Sequence, residues 1–141
     1  MKEELNILVQ AQYPLIYLIT PEEERAEQAI SKIAKDNAEY KQVFVWTVTR
    51  GIVEYGQARQ GTQHNTVSPE AAIEWTIRQK DGGIFIFKDL HPFLDGPVIT
   101  RWLRDAIASF KGTNKVIILM SPLQTVPIEL ENMVFLNQRE C

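Results

Sequence analysis

Cysteine is almost missing from this 141-residue sequence. The only one, Cys141, is the last residue, so no internal disulfide is possible. Histidine is scarce as well. His64 and His91 fall in different loops, and no cysteine or carboxylate cluster completes a metal site around either. Basic residues are not in excess: 15 Lys and Arg face 18 Asp and Glu, a net charge of −3. Such a chain has no general attraction for nucleic acid or an anionic membrane, both of which need a basic field. No apolar run approaches the roughly 20 residues that cross a bilayer. The first residues are acidic and lack the basic-then-apolar pattern of a leader, which predicts a cytoplasmic protein.

What is present is ordinary for a globular protein, with 45% hydrophobic and 23% charged residues. The length predicts a single domain over residues 1–141 that buries about two thirds of its unfolded surface. Its most telling stretch runs Gly82-Gly83-Ile84-Phe85-Ile86-Phe87-Lys88-Asp89-Leu90-His91. A short apolar run between turn formers reads as a strand buried on both faces, the kind that parallel sheets contain. Its terminal Asp89 falls where open α/β sheets place ligands.

The rest of the chain supplies neighbours for that strand. Residues 3–12 predict a short amphipathic helix that Pro14 stops, and Leu15 to Ile19 a buried strand. Thr20-Pro21-Glu22-Glu23 reads as a helix start, with Thr as cap, Pro in the first turn and Glu reaching back. Ala26, Ala29, Ile30 and Ile33 line the helix that follows. Gln42 to Val48 is a second strand, and residues 56–66 a polar loop. Ser68-Pro69-Glu70 opens another helix, packed through Ile73, Trp75 and Ile77. Pro97 to Lys111 is the clearest helix, with Ile99, Leu103, Ala106, Ile107 and Phe110 on one stripe and Gly112 at its end. Strands at 116–120 and 134–136 complete the order. This alternation predicts an α/β three-layer sandwich with a mostly parallel five-stranded sheet.

A nucleotide site in such a fold needs a phosphate loop after the first strand, Gly-x-x-x-x-Gly-Lys-Ser/Thr, because bare backbone N–H groups wrap the phosphates. Here that segment has no Gly and no Lys, Pro21 removes a donor, and Glu22, Glu23 and Glu24 occupy the helix start. The plainer reading is a structural helix. Asp89 is placed like a Walker B aspartate that holds Mg²⁺, but Leu90 stands where an ATPase has its water-activating glutamate. Ser121, after the next strand, stands where a polar sensor residue lies. Against this, Asp89 can simply cap the following turn, Ser121 can bond locally and His91 can satisfy a backbone group. Arg101 and Arg104 share a helix, and Arg50 and Arg59 lie in loops. Arginines on one face can bind phosphate or complete a neighbour's site, though most are solvated surface.

Several stretches together resemble one family. They are Gln10-Ala11-Gln12-Tyr13-Pro14-Leu15-Ile16-Tyr17-Leu18, Val43-Phe44-Val45-Trp46-Thr47-Val48-Thr49 and the run from Gly83 to Phe93. Thr100-Arg101-Trp102-Leu103-Arg104-Asp105-Ala106 and Ile117-Ile118-Leu119-Met120-Ser121-Pro122 belong to the same set. The chain is similar, over roughly residues 1–136, to the N-terminal region of the AAA-plus ATPases that cyanobacteria and red-lineage chloroplasts encode as a conserved hypothetical plastid reading frame. The resemblance implies a degenerate copy of the P-loop fold, a place in the cyanobacterial cytosol or chloroplast stroma, and a link to photosynthetic regulation. It implies ATPase activity only for the family's second module, which is expected to lie outside this chain.

Three readings follow. The leading one is a non-catalytic interaction domain, without cofactor, whose partner is a protein: an ATPase module or another copy, met through a surface that includes Arg101, Arg104 and His91. The second is residual binding or hydrolysis of ATP, with Asp89 on Mg and Ser121 near the phosphates. The third is a receiver-type phosphoacceptor, with the acidic Glu22 and Glu23 after the first strand, Asp89 after the third, Ser121 after the fourth, and no lysine after Leu136 to complete it.

Overall fold

The computed structural model describes residues 2–40, 42–56, 65–122 and 133–137. The elements in order are α1 (Lys2–Gln10), β1 (Leu15–Ile19), α2 (Glu23–Asp36), β2 (Gln42–Thr47), β3 (Gly51–Glu54), α3 (Pro69–Arg78), β4 (Gly83–Lys88), a 3₁₀ turn (His91–Phe93), α4 (Pro97–Phe110), β5 (Lys115–Ser121) and β6 (Met133–Asn137). Among the described residues the sheet has six strands, in the order β3-β2-β4-β5-β1-β6. All pairings are parallel except β2 with β3.

The expected five strands are therefore corrected to six. The missed strand, Gly51-Ile52-Val53-Glu54, is only four residues long and returns from β2 through a tight turn in which Gly51 has φ 74°. Two apolar residues carry too little periodicity to announce a strand. Tertiary contacts hold it instead. Ile52 N donates to Thr66 Oγ1 at 2.9 Å, and Trp46 Nε1 donates to Thr66 O at 2.9 Å.

Side-chain alternation builds two unlike layers from one sheet. Ile16, Leu18, Ile84, Ile86, Val116, Ile118 and Met120 face α1 and α2, where Leu5, Val9, Ala26, Ile30 and Ile33 cover them. The opposite face carries the rings. Tyr17, Phe44, Trp46, Phe85 and Phe87 pack there with Phe110 of α4 and the partly buried Trp75 of α3. Phe44 stacks on Phe85 at 5.8 Å between centroids and meets the edge of Trp75 at 4.9 Å. The stripe read from the sequence of α4 is buried in full. Ser68 caps α3 as expected, its Oγ accepting from Ala71 N at 3.3 Å.

The start of α2 departs from expectation. Thr20 does not cap it: the helix begins at Glu23, and Glu22 precedes it with no side-chain cap bond. The reason lies in the sheet. Thr20 N donates to Ser121 O at 2.9 Å, so Thr20 continues the β1–β5 ladder and is held in extended backbone. Its Oγ1 accepts from Glu22 N at 3.1 Å and forms the turn into α2.

Two lysines, Lys115 buried and Lys88 partly so, tie helices to the sheet. Lys115 Nζ donates to the last-turn carbonyls of α3, Thr76 O at 2.9 Å and Ile77 O at 3.0 Å, and burial lowers its pKa. Lys88, at the end of β4, meets two carboxylates of α2: Glu27 Oε2 at 2.6 Å and Glu23 Oε1 at 3.6 Å. Glu27 Oε2 accepts no other bond, so Lys88 is its compensation. Burial works to lower the Lys88 pKa, but the hydrogen bonds and charges of Glu27 and Glu23 outweigh it, and the net direction is upward from 10.5. The pair thus contributes its stability below pH 10.5 and loses it as pH rises through the raised value.

Replacing Lys88 with Met strands the Glu27 carboxylate, whose side chain is 11% exposed. Breaking such a pair costs about 3 kcal/mol, whereas exchanging both members for apolar residues is often neutral. Urea midpoints should therefore drop for Lys88→Met and largely recover when Glu27→Leu is added. An unchanged midpoint in the single variant would contradict the assignment.

Candidate functional site

Three neighbouring strands, β4, β5 and β1, bring their carboxyl ends together. Asp89 N donates to Met120 O at 2.9 Å, extending the β4–β5 ladder as Thr20 extends that of β1. Asp89 then turns the chain with φ 56°, a left-handed conformation that Asp tolerates better than most residues. Its side chain is not the cap of the next turn, contrary to the plainer expectation. Leu90 precedes the 3₁₀ turn, with no side-chain cap bond.

Ser121 is the last residue of β5 and is 1% exposed. One partner comes from far along the chain, His91, thirty residues earlier: Oγ and Nδ1 are 3.2 Å apart. His91 likewise serves a side chain rather than a backbone group. Asp89, Ser121 and His91, separated in the sequence, thus lie together at one end of the sheet. Hydroxyl and imidazole at this distance look like a nucleophile and its base. The burial of Ser121 argues otherwise, because no substrate reaches an oxygen covered in this way. The contact fastens the 3₁₀ turn to the sheet.

Tyr17 joins this cluster, and sequence reasoning read it only as a strand residue. It is 1% exposed, and its hydroxyl lies near that of Ser121 without the geometry of an ordinary hydrogen bond. Burial pushes its pKa up, the nearby Ser121 hydroxyl works in the opposite direction, and the Asp89 carboxylate adds to the rise. A polar tip in an apolar strand pattern is the one signal that could have flagged it.

A cavity of about 550 Å³ lies beside this cluster at the carboxyl end of β1. It is lined by Thr20, Pro21, Glu22, Glu23, Glu24, Arg25, Gln28 and Pro122. Its one cation, Arg25, pairs with Glu22 at 3.5 Å. Phosphates need bare N–H groups and positive charge, and this lining presents carboxylates and a proline. It does not fit a nucleotide. A metal fares no better: among the described residues no three His, Cys, Asp or Glu side chains are placed to hold an ion together.

Arg101 and Arg104 lie on the exposed side of α4, away from the core stripe, and Arg101 bonds Asp105 at 2.9 Å. Arg50 sits in the turn between β2 and β3. Arg59, His64 and Cys141 fall outside the described residues. The strand order overturns the receiver reading. In the receiver-type order 2-1-3-4-5 the first strand lies between the second and third, whereas here β1 lies between β5 and β6.

The Tyr17 hydroxyl gives a direct check on this geometry. An unsatisfied buried donor costs on the order of 1–3 kcal/mol. Tyr17→Phe is therefore expected to raise the melting temperature. It should also flatten the alkaline loss of stability, since a phenol with a raised pKa favours the fold below about pH 10 and not above its folded value. A lower melting temperature for Tyr17→Phe would mean that the hydroxyl is bonded.

Comparison with known proteins places the chain. Its residues 1–138 match the family described as SpoVK-like AAA ATPase, N-terminal domain. Among curated proteins it is similar to the uncharacterized AAA domain-containing protein ycf46 of Trieres chinensis, 28% identical over 132 residues, and of Guillardia theta, 27% identical over 134. These alignments take in 94% of the chain but 26% of each relative, so the chain spans about a quarter of their length. A chain in the structure of Drosophila ORC bound to DNA is similar with a TM-score of 0.44 and 9% identity, covering 96% of this chain and 86% of that one. With the match extending over nearly all of its residues, this chain belongs to the SpoVK-like AAA ATPase N-terminal domain family.

Proposed function

We propose that this domain is a non-catalytic interaction module of an AAA ATPase, a P-loop-like fold that has lost its phosphate cradle. The acid-lined cavity after β1 carries the reading. The strand order supports it: β5 stands between β1 and β4, so Ser121 and Asp89 end up beside the first strand as sensor and Walker B residues do in an ATPase of this kind. The catalytic parts are nevertheless missing, with Glu22, Glu23 and Glu24 in place of a glycine-rich loop and Leu90 in place of the glutamate. Asp89 is a lone carboxylate, and Mg²⁺ in such sites relies on the phosphates for its other ligands.

Titration calorimetry with Mg-ATP and with ADP tests this directly. A site filled at 100 times its dissociation constant stabilises a fold by about 2.7 kcal/mol, a shift easily seen in a melt. No heat and no shift are expected. Heat, with a raised melting temperature that Asp89→Ala abolishes, would replace this reading with the nucleotide-binding one.

The partner in this proposal is the AAA module of the longer relatives or a second copy of the domain. The surrounding process is photosynthetic regulation, in a plastid stroma or cyanobacterial cytosol. Arg101 and Arg104 are the cations of the contact surface. Both are exposed, and exposed ion pairs contribute about 0–1 kcal/mol to stability, so reversing both charges should spare the fold. Association with a separately produced AAA module should weaken about tenfold or more in Arg101→Glu/Arg104→Glu, with the melting temperature unchanged. Undiminished association of the variant would remove α4 from the interface.

A further inference from the structure

The two edge strands of the sheet, β3 and β6, are unlike. At β3, Tyr55 N bonds Val43 O, and amide direction alternates along a strand, so Ile52 and Glu54 turn their backbone groups outward. Thr66 Oγ1 takes the outward Ile52 N–H at 2.9 Å, and Glu54 adds a charge. A covering loop and an edge charge both keep such a strand from pairing. β6 has neither among the described residues. Its sequence, Met133-Val134-Phe135-Leu136-Asn137, holds no charge, proline or glycine.

The neighbouring strand shows which β6 amides are open. Pro14 O and Thr20 N bond β5, so the even-numbered residues of β1 face β5, and Leu15, Tyr17 and Ile19 face β6. In the parallel register that sets Leu15 beside Met133, those three reach Val134 and Leu136. Met133, Phe135 and Asn137 therefore direct N–H and C=O away from the sheet, where no strand receives them among the described residues. Phe135, the middle one, places its ring on the aromatic face, 5.9 Å from that of Tyr17 between centroids, and is 39% exposed.

The chemistry of this edge names its complement. A row of outward N–H and C=O groups takes an extended backbone, and uncharged apolar side chains give an ionic partner nothing to pair with. A second β6 meets both demands. Running antiparallel about a two-fold axis at Phe135, it sets Phe135 opposite the partner's Phe135 and Met133 opposite the partner's Asn137. Every outward amide then finds a mate, in about six hydrogen bonds. The two rings come side by side on one face of the joined sheet, an aromatic cross-strand pair that favours the contact. Thr66 and Glu54 guard the other edge, so the pairing closes at two copies.

We infer that the β6 edge joins two copies of this chain, antiparallel about Phe135, into one continuous sheet. This rests on the interaction reading above and deepens it by assigning the second copy to this edge. Five residues a side bury less than the roughly 1,200–2,000 Å² of stable complexes. The dimer is accordingly weak, with a dissociation constant above about 1 μM.

Sedimentation of the unaltered chain over rising concentration, paired with amide hydrogen exchange, tests this. A monomer–dimer equilibrium is expected. At high concentration, exchange at Met133, Phe135 and Asn137 should slow about tenfold or more. Val134 and Leu136 are held by β1 and should exchange slowly at every concentration, which separates strand pairing from unspecific sticking. Phe135→Lys sets like charges against each other at the two-fold and should weaken the dimer at least about tenfold. Exchange in the parent chain decides the matter even where that variant does not fold. The inference is overturned if the chain stays monomeric throughout, if a dimer leaves the Phe135 amide unslowed, or if Phe135→Lys dimerises as tightly as the parent. Such a failure leaves the association with an AAA module, measured through Arg101 and Arg104, as a separate result. Heat in the Mg-ATP titration would overturn the interaction reading without touching this edge.

Discussion

The ladder that joins β1, β5 and β4 continues past the apolar residues that define those strands, and much of the structure follows from that continuation. Thr20 N on Ser121 O and Asp89 N on Met120 O are its last rungs. The first holds Thr20 in extended backbone and moves the start of α2 to Glu23. The second fixes where Asp89 must turn, and the chain meets that demand with a left-handed residue. Ser121, trapped between the two rungs, bonds His91 and so anchors the connection into α4. A single hydrogen-bonding constraint thus sets the positions of two helices and one polar cluster.

The layers on either side of that sheet are built differently. One is an aromatic mosaic of Tyr17, Phe44, Trp46, Phe85, Phe87 and Phe110, whose flat rings fix the spacing of α3 and α4. The other is mainly aliphatic and includes a charged contact, Lys88 with Glu27 and Glu23, where α2 crosses the end of β4. Ion pairs in such positions add little net stability over apolar substitutes. They do specify arrangement, because a slipped α2 would leave three charges uncompensated.

Membership of an AAA ATPase N-terminal family and a cavity lined by glutamates belong to one picture. In the interaction-module reading proposed above, the strand order keeps the place of a nucleotide site while Glu22, Glu23 and Glu24 stand where phosphate-binding groups would be needed. Such a fold can still present a defined surface to a partner, because sheet and helices depend on burial and not on the ligand.

Local chemistry was enough to determine four helices, five of the strands and the buried stripe of α4, since each rests on periodicity, apolar runs or a Ser, Pro or Gly at an element's end. The missing phosphate loop was equally plain, because its absence is a matter of residue identity. Asp89 and Ser121 could be placed at strand ends for the same reason. Only tertiary structure decided the rest. β3 is too short to show a pattern and is held by Thr66 and Trp46 from elsewhere in the chain. The Ser121–His91 contact, the buried phenol of Tyr17 and the Lys88–Glu27 pair depend on which strands lie side by side. Sequence spacing carries the period of each element, but the order of strands is fixed by long-range packing, and with it every contact between elements.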